Sequence, residues 1–207
     1  MKKLFTLLFL TLIVTGAACQ VELRHGFLLG GGRGSACGIG YSDNSDEYTT
    51  FDRGVTDYKY NALLGYKLRF RGRENPLFFD TDIQVGLQKA EYSIFYKRTE
   101  AAPDGAVISF PVGNFFFCNL SVGLSVNYNL YKGLFVGAGV DPTYRFYQLG
   151  ERSEKRFDVP VAGKIGYNMK YVELALVYKK GIMNSLKTDY FERGKLNDWQ
   201  LQLFIPF

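Results

Sequence analysis

The sequence predicts an all-β fold: an eight-stranded antiparallel up-and-down transmembrane β-barrel. Three observations predict it. Apolar and polar residues alternate along a series of segments, the connections between those segments alternate between short and long, and no segment after the N-terminus is a long apolar run. A membrane helix needs about 20 consecutive apolar residues, so a helical membrane protein is excluded.

The clearest segment runs from Leu120 to Leu130. Leu120, Val122, Leu124, Val126, Tyr128 and Leu130 alternate with Ser121, Gly123, Ser125, Asn127 and Asn129. Successive side chains of a strand point to opposite faces, so this is a strand with one greasy and one polar face. Tyr58, Tyr60, Ala62, Leu64, Tyr66, Leu68 and Phe70 repeat the pattern against Lys59, Asn61, Leu63, Gly65, Lys67 and Arg69. So do Phe79, Ile83, Val85 and Leu87 against Asp80, Asp82, Gln84, Gly86 and Gln88. Leu134, Val136, Ala138, Val140 and Tyr144 face away from Gly137, Gly139, Asp141, Thr143 and Arg145. Val159, Val161, Ile165, Tyr167 and Met169 oppose Asp158, Lys164, Gly166 and Asn168. Val172, Leu174, Leu176 and Tyr178 form a seventh set, and Trp199, Leu201, Leu203, Ile205 and Phe207 close the chain against Asp198, Gln200 and Gln202. A first strand around Glu22 to Gly31 is the least regular.

Eight strands leave seven connections. Three are short: Gly72 to Pro76, Tyr131 to Gly133, and Lys170 to Tyr171. Four are longer: Arg33 to Asp57, Thr99 to Gly113, Gly150 to Arg156, and Gly181 to Asn197. Short turns at one end and long loops at the other are the asymmetry of outer-membrane barrels, with both termini on the periplasmic side.

Alternation alone fits a soluble barrel as well, with the apolar stripe inside. Three features favour the inverted arrangement. The polar stripe is rich in Gly, Ser and Asn, which suit a narrow lumen. It carries Lys59, Lys67, Arg69, Arg145 and Lys164 against Asp80, Asp82, Asp141, Asp158, Glu173 and Asp198, a set able to pair internally as a plug. Tyr58, Tyr128, Tyr131, Tyr144, Tyr167, Tyr171, Tyr178 and Trp199 gather near strand ends, where amphipathic rings suit a membrane–water boundary.

The N-terminus reads as a secretory signal over residues 1–19. Lys2 and Lys3 precede an apolar run from Leu4 to Val14, followed by the small residues Gly16, Ala17 and Ala18. Cleavage is expected near Cys19 or Gln20, with lipidation of Cys19 the alternative. The barrel then occupies 20–207. Formal charge is +5 with no run of Lys or Arg, so nucleic-acid binding is not indicated. Cys37 and Cys118 fall on non-adjacent strands and are expected to be free thiols, a disulfide being the other reading.

The chain from about Gln20 onward resembles the small outer-membrane β-barrel proteins of the OmpX-like and OmpW-like kind. The final strand, Asp198 to Phe207, ends in an aromatic residue and is similar to the C-terminal signal such proteins present to the barrel-assembly machinery; Pro206 departs from that pattern. The resemblance implies an outer-membrane location in a Gram-negative bacterium and lipid as the surrounding partner. It does not fix a function, because one fold hosts several.

Candidate chemistry is sparse. Gly30-Gly31-Gly32-Arg33-Gly34 lacks the Gly-Lys-Ser/Thr ending of a phosphate loop and reads as a strand end entering the first loop. His25 is the only histidine, which excludes a multi-histidine zinc site; as a hydrolase base it would need a nucleophile and a carboxylate beside it, and an interfacial role is favoured. Asp43, Asp46 and Glu47 do not reproduce a calcium loop and read as solvated acids. No catalytic, cofactor-binding or metal-ligating residue is assigned. The expected function is a non-enzymatic barrel that displays loops for binding or adhesion, or stabilises the envelope. A narrow porin-like channel is the second reading, and a lipid A or peptide hydrolase the third.

Overall fold

A computed structural model describes residues 21–42, 49–73, 75–100, 112–150 and 155–207. The signal segment and the loop acids Asp43, Asp46 and Glu47 lie outside the described residues. Ten strand segments follow one another: β1 (Val21–Tyr41), β2 (Thr49–Gly72), β3 (Leu77–Arg98), β4 (Val112–Tyr131), β5 (Leu134–Val140), β6 (Thr143–Gly150), β7 (Phe157–Asp158), β8 (Val161–Asn168), β9 (Glu173–Lys180) and β10 (Phe191–Pro206). They make eight crossings. β5 and β6 both pair with β4 and are one strand interrupted at Asp141-Pro142; β7 and β8 are likewise one strand interrupted at Val159-Pro160. Proline has no N–H for the ladder, which is why the pairing breaks there. Neighbouring backbone bridges the gap, with Val122 N–H donating to Pro142 O at 3.0 Å and Asp141 N–H to Pro160 O at 2.9 Å.

All pairings are antiparallel, and β10 pairs with β1, so the sheet closes on itself. Following paired residues once around the wall leads from Glu22 through Arg71, Phe78, Asn127, Gly137, Lys164, Val177 and Gln200 to Gly32. The circuit returns ten residues further along β1. With a rise of about 3.3 Å and a strand spacing of about 4.8 Å, that stagger tilts the strands by about 40°.

One end carries Val21, Phe207 and the tight turns; it is called the inner end. Its sharpest turn is Lys132-Gly133, where both residues have positive φ (44° and 93°), the requirement of a two-residue hairpin loop that matches strand twist. At the outer end the strands run further than the sequence suggests. The loop expected over Arg33 to Asp57 is instead strand up to Tyr41 and again from Thr49, and that expected over Gly181 to Asn197 gives way to β10 at Phe191. Gly30 to Gly34 is correspondingly not a strand end: it is paired residue for residue with Gln202 to Asp198. Gly32 is needed there because a Cβ would collide with the Trp199 carbonyl oxygen.

The exposure pattern decides which face meets lipid. Leu64, Ile83, Val85, Leu120, Leu124, Ile165, Leu176 and Leu201 all point outward, Leu124 at 50% exposure, while Lys67, Arg69, Asp80 and Glu173 are buried inside. A girdle of exposed aliphatic and aromatic side chains around a charged interior is the inverse of a soluble barrel and marks a transmembrane one. Lys59 is the exception among the expected lumen charges. A bulge between Tyr58 and Tyr60 on β2 shifts the register, and Lys59 points outward, 3.3 Å from Glu91.

Candidate functional site: the filled lumen and its outer cap

Three layers fill the barrel. The innermost is ionic. Arg69 on β2 makes a two-pronged contact with Asp80 on β3, Nε to Oδ1 at 2.7 Å and Nη2 to Oδ2 at 2.9 Å. Its far edge reaches across the lumen to Glu173 on β9, through Nη1 to Oε2 and through Nη2 to Oε1 at 2.9 Å. Lys164 on β8 donates to Asp80 at 3.0 Å, and Lys67, 1% exposed, lies 3.4 Å from Glu173. Alternation along β2 places Lys67 and Arg69 on one face, and the tilt carries Glu173 to their level from across the barrel.

Three cations share Asp80 and Glu173 here, with buried Asp82 beside Lys164 in the next layer. Aromatic faces also meet these cations. The Arg69 guanidinium lies 4.2 Å from the centroid of Phe78, and the Lys67 ammonium 4.8 Å from that of Phe204. A cation held over a ring face is attracted by its quadrupole, the more so when water is excluded. These inward rings, with Phe135, were not singled out from the sequence. Parity would have found them: Phe204 shares the phase of Gln200 and Gln202, and Phe78 that of Asp80 and Asp82.

The middle layer is polar. Lys179 pairs with Asp141 and lies 3.4 Å from Gln84, and Gln88 donates to Asp198 at 2.8 Å. Two small chambers remain. One of about 40 Å³ is lined by Asn61, Gln88, Asn119 and Gln200 among others, and one of about 30 Å³ by Asp82, Ser125, Lys164 and Gln202 among others. Among the described residues, the side-chain amide of Asn61 and Oδ1 of Asn119 have no hydrogen-bond partner beside the larger chamber. A space of this size with polar walls accommodates a few waters but no organic solute.

The outer layer is apolar, against expectation. Tyr92, Ile94, Phe115, Phe117, Phe191 and Leu196 pack inside the barrel mouth, with Tyr41, Phe51 and Tyr190 against them. The connection from β9 to β10 folds into this cluster. Leu186 is 1% exposed and Ser185 wholly buried. Arg145 fixes Ser185, donating to its carbonyl at 2.9 Å and its hydroxyl at 3.0 Å, while the hydroxyl donates to Asp158 at 3.1 Å. The lumen is thus closed at two levels, by ions at the inner end and by a folded-in loop at the outer end.

The remaining sequence candidates disperse. His25 lies at the inner rim, where Tyr66 Oη is 2.7 Å from its Nδ1 and Phe207 packs edge-on at 5.0 Å. The Phe207 N–H donates to His25 O at 2.9 Å, so the last residue is fastened to the first strand. Cys37 and Cys118 are unpaired, on β1 and β4, and the Asn197 amide donates to Cys37 Sγ at 3.1 Å.

The sequence matches no protein-family model and no curated protein. Solved structures do match. Ail, the attachment invasion locus protein of Yersinia pestis, solved with the heparin analogue sucrose octasulfate, is 11% identical, with 90% of this chain and 99% of that chain covered and a TM-score of 0.39. Neisserial surface protein A is 12% identical over 90% and 99%, with a TM-score of 0.41. The outer-membrane protein OprG from Pseudomonas aeruginosa is 10% identical over 90% and 95%, with a TM-score of 0.45. At such identities the likeness concerns fold alone, and the barrel assignment rests on the closed strand ring and its apolar girdle.

Proposed function

We propose that this protein is a non-enzymatic barrel of a Gram-negative outer membrane, one that holds a stiff surface for binding or adhesion outside the cell. The observation that carries this reading is the doubly closed lumen combined with strands that continue past the girdle. Beyond the girdle, β2 and β3 present Asp52, Lys59, Lys89, Glu91 and Lys97 outward, tied by ion pairs of 2.8 to 3.3 Å, with Arg53 beside them over the Phe95 ring at 5.0 Å. A barrel that spends its interior on packing supports a wall better than it conducts.

Planar-bilayer recording of the refolded protein tests the closed lumen. No steady single-channel steps are expected; regular steps would replace this reading with the narrow channel. Amine labelling of intact cells tests orientation, since Lys89 and Lys97 belong to the outer end and Lys132 and Lys170 to the inner one. Assembly is part of the same proposal. Phe207 is exposed at the inner rim beside Phe27 and Tyr66, positioned for the assembly machinery to read. Deleting it is expected to reduce insertion in cells, and unchanged surface levels would discard that role.

A further inference from the structure

Below the ionic layer the inner mouth contains a cavity of about 420 Å³, lined by Arg71, Asn129, Leu130, Tyr131, Lys132 and Asn168 among others. Its walls come from both sides of the barrel. Arg71, Asn129 and Asn168 share the phase of the lumen-facing residues on their strands, whereas Leu130 and Tyr131 are exposed on the outside. The cavity therefore straddles the end of the wall, at the depth where the girdle gives way to Tyr128, Tyr167 and Tyr171.

Its donors are unmet. Arg71 has no hydrogen-bond or ion-pair partner among the described residues, and Asn129 Nδ2 is buried without an acceptor. Lys132 is held at the tip of its hairpin with its ammonium 4.9 Å from the Tyr131 ring centroid, and Lys170 repeats the arrangement over Tyr171 at 5.1 Å. A guanidinium, an ammonium and a buried amide converging on one opening call for an anion with several acceptor oxygens.

We propose that this mouth binds the phosphate of an anionic phospholipid from the inner leaflet, whose acyl chains lie along Leu130 and Tyr128. The lipid source is favoured over a free anion because the cavity wall continues into the exposed apolar face. A phosphate seated on Arg71 and Lys132 keeps its chains in the bilayer. The assignment of leaflet rests on the orientation proposed above; the site itself does not.

Native mass spectrometry on the full mature chain in detergent tests it, with phosphatidylglycerol, phosphatidylcholine and inorganic phosphate as separate probes. One phosphatidylglycerol is expected to stay bound, phosphatidylcholine to be retained far less, and inorganic phosphate to compete only weakly. The double variant Arg71→Gln, Lys132→Gln should weaken phosphatidylglycerol binding about tenfold or more. Lys132→Gln alone, a change in an exposed turn that leaves the wall intact, should give a smaller drop. Folding of each variant is checked by its heat-dependent gel shift. Equal retention of the two lipids, or undiminished binding by the folded double variant, overturns the site; inorganic phosphate competing as well as the lipid overturns the lipid assignment. None of these results bears on conductance or cell-surface labelling, so the site and the proposed function fail separately.

Discussion

Strand β3 passes through two solvents, and its side chains record the change. From Leu77 to Gln88, Phe79, Ile83, Val85 and Leu87 face outward while Asp80, Asp82, Gln84 and Gln88 face the lumen. From Lys89 onward the parity is unbroken but the chemistry is exchanged. Lys89, Glu91, Ser93 and Lys97 are outward, with Phe95 the one apolar residue among them and covered by the Arg53 guanidinium at 5.0 Å, and Ala90, Tyr92, Ile94 and Tyr96 are inward and buried. Backbone geometry is the same in both halves, so the surroundings account for the exchange: hydrocarbon outside the inner half, water outside the outer half. The reversal at Gln88/Lys89 marks the membrane boundary on this flank. On the β4–β6 flank Phe146, Tyr147 and Leu149 remain exposed toward the outer end, so the boundary is not a uniform ring.

The halves should therefore respond oppositely to loss of charge and to gain of charge. The largest effect is expected in the ionic layer. Glu173→Ala leaves Arg69, Lys67 and Lys164 around Asp80 alone, and breaking a buried ionic group by removing one partner costs about 3–5 kcal/mol. Urea unfolding in liposomes measures it. Glu91→Ala in the outer half removes two exposed contacts, 3.3 Å to Lys59 and 3.1 Å to Lys89, and should leave the unfolding midpoint where it was. Equal losses for the two variants would refute the two-solvent account.

Adding charge comes next. Leu124→Arg places a cation on the lipid face near mid-membrane and should cost about 2–4 kcal/mol. Ser93→Arg places it on the outward face beyond the boundary, where a surface change stays within about 0.5 kcal/mol. A tolerant Leu124 would mean the faces are reversed; an intolerant Ser93 would move the boundary outward.

The inner half was largely legible in the sequence and the outer half largely was not, for a physical reason. Within the girdle the alternation is apolar against polar, and its phase alone identified the lumen residues Lys67, Arg69, Asp80 and Lys164. Arg33 to Tyr41 reads as a loop because its inward residues include the small Ala36 beside Ile39, and its outward ones include Arg33, Ser35 and Cys37 and no large apolar residue. Only pairing to β10 reveals it as strand. The outward turn of Lys59 depends on a one-residue bulge that no periodicity encodes. The contact of Arg69 with Glu173 depends on the stagger of the closed ring, which a strand-by-strand reading does not supply. Ser185 and Leu186 carried no signal at all: they sit between turn-like residues, and their burial follows from where Arg145 and Asp158 stand.

That last loop yields local rather than global effects and the sharpest distinction between the halves. Leu186→Ala empties a buried site among Tyr92, Phe115 and Phe191, where Leu→Ala truncation costs about 2 kcal/mol or more. Because the loop is held by the outer cap, by β10 and by Arg145 and Asp158, and not by the ionic layer, the loss should appear as local opening, read by faster proteolysis between Gly181 and Tyr190, before any shift in global unfolding. Ser185→Ala keeps the backbone carbonyl bond to Arg145 and removes the hydroxyl bridge between Arg145 and Asp158, a loss of about 1 kcal/mol seen in the same assay. Neither change touches the ionic layer, so neither should produce conductance. If opening the loop alone yields current, the inner ions do not seal the barrel, and the closure attributed to two layers belongs to the outer one.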